Sequence, residues 1–129
     1  MGILSQFDLD NVPELAAVPA GEYEICIIEA GDYVGKESGK QSIRVVFEIM
    51  NEPNAQNVYH YISLPNSDDD EKVANSKLRR AKQFLKAFDL SSEDDYAEWT
   101  GRIIWALLDV EDDRNGEARN RITSFIGSK

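Results

Sequence analysis

The sequence predicts an all-β fold with one main helix. Three observations carry that prediction: period-two apolar alternation in several short runs, one long stretch spaced by three and four, and an Asn115-Gly116 hairpin signal near the C-terminus. With 129 residues the chain fits one domain with a single sizeable core. Residues 1–17 read as an acidic leader and 18–129 as the folded domain.

"PAGEYEICIIEA" joins loop punctuation to a β-rich run, which puts the first strand at residues 22–30. "GDYVGKESGK" is polar and glycine-rich and reads as a loop. "QSIRVVFEIM" alternates, with Ile43, Val45, Phe47 and Ile49 on one face and Arg44, Val46 and Glu48 on the other. "NEPNAQN" then turns the chain into a third strand, "NVYHYISL". Next the period changes: "SDDDEKVANSKLRRAKQFLKAF" opens on capping aspartates and spaces Ala74, Leu78, Ala81, Leu85 and Phe88 by three and four, an amphipathic helix. Its opposite side, with Lys77, Arg79, Arg80, Lys82 and Lys86, reads as a solubilising face. "SSEDDYAEW" reads as a serine-capped helical turn, "TGRIIWALLDVEDD" as a fourth strand and "EARNRITSFIG" as a fifth. The order β-β-β-α-β-β is that of a five-stranded OB-fold barrel, whose strand 2 and 3 face binds oligonucleotides or oligosaccharides.

Composition narrows the function classes. No apolar run approaches the ~20 residues of a membrane span, and the N-terminus is acidic, so no membrane partner is expected. The single cysteine, Cys26, has no partner for an internal disulfide and reads as a buried structural thiol. "EDDRNG" resembles the start of a calcium loop, but Ile122 stands where the bidentate acid belongs. Phosphate-cradling glycines, a zinc cysteine cluster and a nucleophile–base pair are all missing, so neither an enzyme nor a cofactor is expected. The formal charge of −10 disfavours indiscriminate duplex binding, yet it is unevenly spread: residues 1–70 hold 3 basic and 13 acidic residues, and residues 71–129 hold 11 of each.

The residues facing out of strands 2 and 3 decide what such a barrel binds. If Val58 and Ile62 point inward with Val45 and Phe47, then Tyr59, Tyr61 and Ser63 point outward beside Arg44. A one-residue slip would bury both tyrosines and expose His60, the chain's one histidine, which needs a partner if buried. Aromatics beside an arginine suit unpaired bases and their phosphates. Lys36 and Lys40 lie in the first inter-strand loop, with Tyr33 at its start, and Arg114, Arg119 and Arg121 flank the last hairpin; each is either a phosphate contact or a solvated surface charge. "IIWALL" is apolar on both faces, so its outer face needs a cover. The leader, with Phe7, Leu9, Val12 and Leu15, is the expected cover, and a homodimer through the strand around Trp105 is the other.

"VPAGEYEICIIEA", "SGKQSIRVVFEI", "VYHYISL", "KLRRAKQFLKAFDL", "TGRIIWALLDVE" and "NGEARNRITSFI", in this order over roughly residues 18–126, resemble the OB-fold single-stranded-DNA-binding proteins of tailed bacteriophages. That resemblance implies coating of exposed single strands in phage replication and recombination, in the cytoplasm of the infected bacterial host. It implies single-stranded DNA as partner, together with phage replication or recombination proteins. It adds Asn120 to Lys40, Arg44, Tyr59, Tyr61 and Arg121 as positions of interest. Many such proteins end in an acidic, partner-recruiting tail, whereas this sequence stops at "FIGSK", so recruitment is expected through a missing tail or another surface.

Overall fold

Both periodicities become structure in the expected order, in a computed structural model that describes residues 2–36 and 39–128. The strands are β1 (Gly21–Val34), β2 (Gln41–Ile49), β3 (Val58–Ser63), β4 (Ile103–Asp112) and β5 (Ala118–Gly127), with helices α1 (Glu71–Ala87) and α2 (Tyr96–Trp99) between β3 and β4. The strands form one antiparallel sheet in the order β3-β2-β1-β4-β5. It curls until its two edge strands, β3 and β5, touch. No hydrogen-bonded ladder joins them among the described residues, so the expected barrel is left with an open seam.

β1 is longer than predicted and reverses its facing midway. Ile25 and Ile27 are fully buried, then the register against β2 shifts between Ile27 and Glu29, leaving Ile28 as an extra residue. Beyond this bulge Ala30 pairs with inward Val45, while Glu29, Gly31 and Tyr33 pair with outward Val46, Arg44 and Ser42. Tyr33 therefore belongs to the sheet rather than to a loop. Cys26, expected in the core, lies half-buried in the first part of β1, paired with Glu48 and Ile103; burial first and Glu48 second push its thiol up.

The core fills the barrel with Ile25, Ile27, Val45, Phe47, Val58, Ile104, Ala106 and Leu108, all at most 5% exposed. α1 closes one end. Asp70 caps it by accepting from the Val73 N–H at 2.8 Å, as the aspartate run predicts. Its buried stripe is rotated from the predicted one. Phe84 is 2% exposed and reaches Phe88, Phe125 and Trp99 at 4.7, 5.3 and 5.4 Å between ring centroids, whereas Leu78 is 52% exposed. Lys77, assigned to the solvent face, is instead tucked against Asp69 at 2.7 Å. The turn before β4 is led by Asp95, not by a serine.

The last hairpin is held mainly by Asp113. Its Oδ1 accepts from the Asn115 and Glu117 N–H groups, and Gly116 supplies the left-handed backbone the turn needs, with φ of 79°. The leader forms two 3-10 turns, Ile3–Gln6 and Leu9–Asn11, that bury nothing, with Phe7 62% and Leu15 60% exposed. It does not cover the β4 face, where Ile103 and Leu107 stand open beside Ile126. Asn120 fastens the entry to β1 by exchanging two 2.9 Å bonds with the Val18 backbone and donating a third to the Asp109 carbonyl. No helix among the described residues is long and apolar enough to cross a membrane.

Candidate functional site

The β2–β3 ladder pairs Arg44 with Tyr61, Val46 with Tyr59 and Ser42 with Ser63, all outward, against inward Ile43–Ile62, Val45–His60 and Phe47–Val58. Tyr59 and Tyr61 are accordingly 52% and 47% exposed, and the slipped register is not the one adopted. The β1 bulge extends this face by one strand: Tyr33 meets Tyr61 at 5.3 Å between ring centroids, tilted by 58°. The Arg44 guanidinium lies 6.0 Å from the Tyr59 ring centre and donates to Glu29 at 2.8 Å. Glu29, hydrogen-bonded to Arg44, holds that guanidinium charged above its ordinary range. Gly31, in register with Arg44, leaves open space where a side chain would stand.

His60 points inward and is half-buried. It stacks on Phe84 at 6.1 Å and 10°, and meets the edge of Phe125 at 5.2 Å. Burial lowers its pKa, so aromatic rings rather than a charged partner accommodate it.

The basic candidates are not gathered into one cluster. Lys40 lines a hollow of about 180 Å³ with Tyr33, Ser42, Tyr61 and Ser63. Lys36 is exposed in the β1–β2 loop, and Arg114 in the last hairpin. Arg119 is bound to Asp113 at 3.0 Å and to Glu117 at 3.1 Å; Asp113 first, with smaller help from Glu117 and the Tyr59 phenol, raises its pKa. Arg121 lies outward opposite Asp109, 3.5 Å from Glu111 and 4.0 Å from Asp109. Asn120 has both ends of its amide engaged with backbone.

Tyr33 enters the site through the strand extension, and Glu29 was absent from the sequence-derived set altogether. The β-rich "DYV" and the alternation Glu29, Gly31, Tyr33 were the available signals for both. Among the described residues no group of three His, Cys, Asp or Glu side chains converges as a metal site would. The arrangement offers flat aromatic surface, guanidinium and ammonium groups, and hydroxyls.

No curated protein matches the chain. The family described as "Protein of unknown function (DUF669)" matches residues 5–126, and the chain belongs to that family.

Proposed function

We infer that the protein binds single-stranded DNA with little sequence preference, stacking bases on the β2–β3 face and pairing phosphates with the cations around it. One observation carries this reading: Tyr59 and Tyr61 both face solvent beside Arg44, with Tyr33 extending the aromatic surface. Every base has a π-face, so such a surface is indifferent to sequence. The resemblance to the single-strand-binding proteins of tailed phages supports a role in coating exposed strands during phage replication and recombination, in the host cytoplasm. Phage replication or recombination proteins are the partners that role would require.

The experiment is a titration with poly-dT, following intrinsic fluorescence at two salt concentrations, on the wild-type chain and on Tyr59→Ala and Tyr61→Ala. Binding is expected to weaken as salt rises, because phosphates release condensed counterions when cations replace them. Loss of a stacked base removes ~1–3 kcal/mol, so each variant should bind roughly 5- to 150-fold more weakly. A second reading, a protein-docking module, is favoured by the uncovered Ile103, Leu107 and Ile126 beside Trp105, where a homodimer could form. It predicts neither quenching nor a salt slope.

A further inference from the structure

Tyr61 and Ser63 each line two hollows, one on either side of β3. The first is the Lys40 hollow already described. The second is the seam itself, a cleft of about 280 Å³ where β3, β5 and α1 meet without a ladder, its polar lining being His60, Ser63, Arg80, Gln83 and Thr123 with the Tyr61 phenol. The chain has 24 acidic residues, yet among the described residues none lines the seam, whereas Asp69 stands beside the Lys40 hollow, bound to its Lys77 and acting on its Lys40. Along the rest of the outer surface the arginines are answered by acids: Arg44 by Glu29, Arg119 by Asp113 and Glu117, Arg121 by Asp109 and Glu111. A polyanion would meet least repulsion along the seam.

The rotation of α1 decides which helix cation serves the seam. Phe84 turns inward, so Arg80, one turn earlier, stands on the flank bordering the cleft, while Arg79, Lys82 and Lys86 border neither hollow. Lys77 borders the Lys40 hollow but is tied to Asp69 at 2.7 Å. Among the described residues Arg80 makes no ion pair.

We propose that the seam is the second half of the strand track, running from Lys40 across Tyr61 into the β3–β5 cleft, and that Arg80 is a phosphate-contacting residue there. This rests on the single-strand-binding reading above. It assigns the solubilising helix face one binding residue, with Ser63, Gln83 and Thr123 as hydrogen-bonding groups for sugar or phosphate oxygens. The cleft is smaller than most small-molecule pockets, and it is open at the surface, as a passing chain needs.

The test measures poly-dT affinity over a series of salt concentrations for the wild-type chain, Arg80→Ala, Arg79→Ala and Lys82→Ala, with a thermal melt to verify that each variant is folded. Each phosphate contact on a single strand contributes about 0.7 to the slope of log affinity against log salt. Arg80→Ala should flatten the slope by about that amount, while Arg79→Ala and Lys82→Ala keep the wild-type slope. A wild-type chain that binds, with Arg80→Ala unchanged in slope or no flatter than Arg79→Ala, overturns the seam and leaves the β2–β3 face standing. A wild-type chain that does not bind overturns both.

Discussion

Phe84→Ala should be among the most damaging substitutions in the chain, and Leu78→Ala among the mildest. Phe84 is 2% exposed and lies 4.7 Å from Phe88, 5.3 Å from Phe125, 5.4 Å from Trp99 and 6.5 Å from Phe47 by ring centroids. Rings packed from several elements collapse poorly into a vacated space, so truncation loses both the transfer free energy and the cavity's contacts. Core Phe→Ala changes cost about 3–5 kcal/mol, against a whole-domain stability of about 5–15 kcal/mol. At this chain length 1 kcal/mol moves the melting point by roughly 3–5 °C, so the variant should melt about 9–25 °C lower. Leu78 is 52% exposed, and its truncation should stay within about 0.5 kcal/mol. Urea unfolding followed by circular dichroism gives both values from midpoints at matched m. If Leu78→Ala proved the more destabilising of the two, the rotation of α1 described above would be wrong, and the assignment of Arg80 to the seam with it.

Three further outcomes follow from the contacts. Burial lowers the pKa of His60 below its ordinary 6.5, so under mild acid the unfolded chain binds a proton that the folded chain resists. Stability is therefore fully present above that value and declines as pH falls through it toward the folded pKa; His60→Phe should remove this part of the decline, and a wild-type melting point flat from about pH 7.5 to about pH 5.5 would contradict it. Asn120→Ala strands the Val18 N–H and C=O and should cost about 1–3 kcal/mol in urea unfolding, with faster exchange of the Val18 amide; wild-type protection there would deny the fastening. Glu29→Gln releases the Arg44 guanidinium and removes a negative charge from the face, so on the proposed reading poly-dT binding should tighten and its salt slope steepen; weaker binding would count against a phosphate role for Arg44.

The exposed tyrosines were legible as one of two facings: putting Val58 and Ile62 on the core side with Val45 and Phe47 turns Tyr59 and Tyr61 outward, at the cost of an inward His60, and that is the facing adopted. The strand order was legible from one change of period between β3 and β4. The β1 bulge was not. "ICIIEAGDYV" carries apolar residues at both parities, so nothing local says where the facing reverses, and Tyr33 was lost to the loop. α1 shows a different failure. Ala74, Ala81, Leu85 and Phe88 satisfy the three-and-four spacing with Leu78 or with Phe84, and the sequence alone does not choose between them. The barrel end chooses: filling it takes an aromatic volume beside Phe47, Phe88 and Phe125, and the helix rotates until Lys77 falls on the inner side, where Asp69 receives it. The leader failed in a third way, since apolar residues on both the leader and β4 suggested a match that the fold does not make.

How a chain of charge −10 could hold a polyanion is a question of which cations are already answered. Arg44, Arg119 and Arg121 each carry a carboxylate within 4.0 Å, and a phosphate arriving there must displace it. The freed carboxylate then recruits a solution cation, offsetting part of the counterion release from the strand, so each such contact adds less to the salt slope than a free cation would. Arg80 lies in a hollow with no carboxylate among the described residues, and on the proposed reading it contributes its full share. On the proposed reading the slope therefore draws most on Arg80, and less on the cations that already carry a carboxylate, Lys77 of the Lys40 hollow among them. If that reading holds, the paired arginines would serve to position the strand, the aromatic face to supply affinity, and the acidic remainder of the surface to repel nucleic acid outside the track.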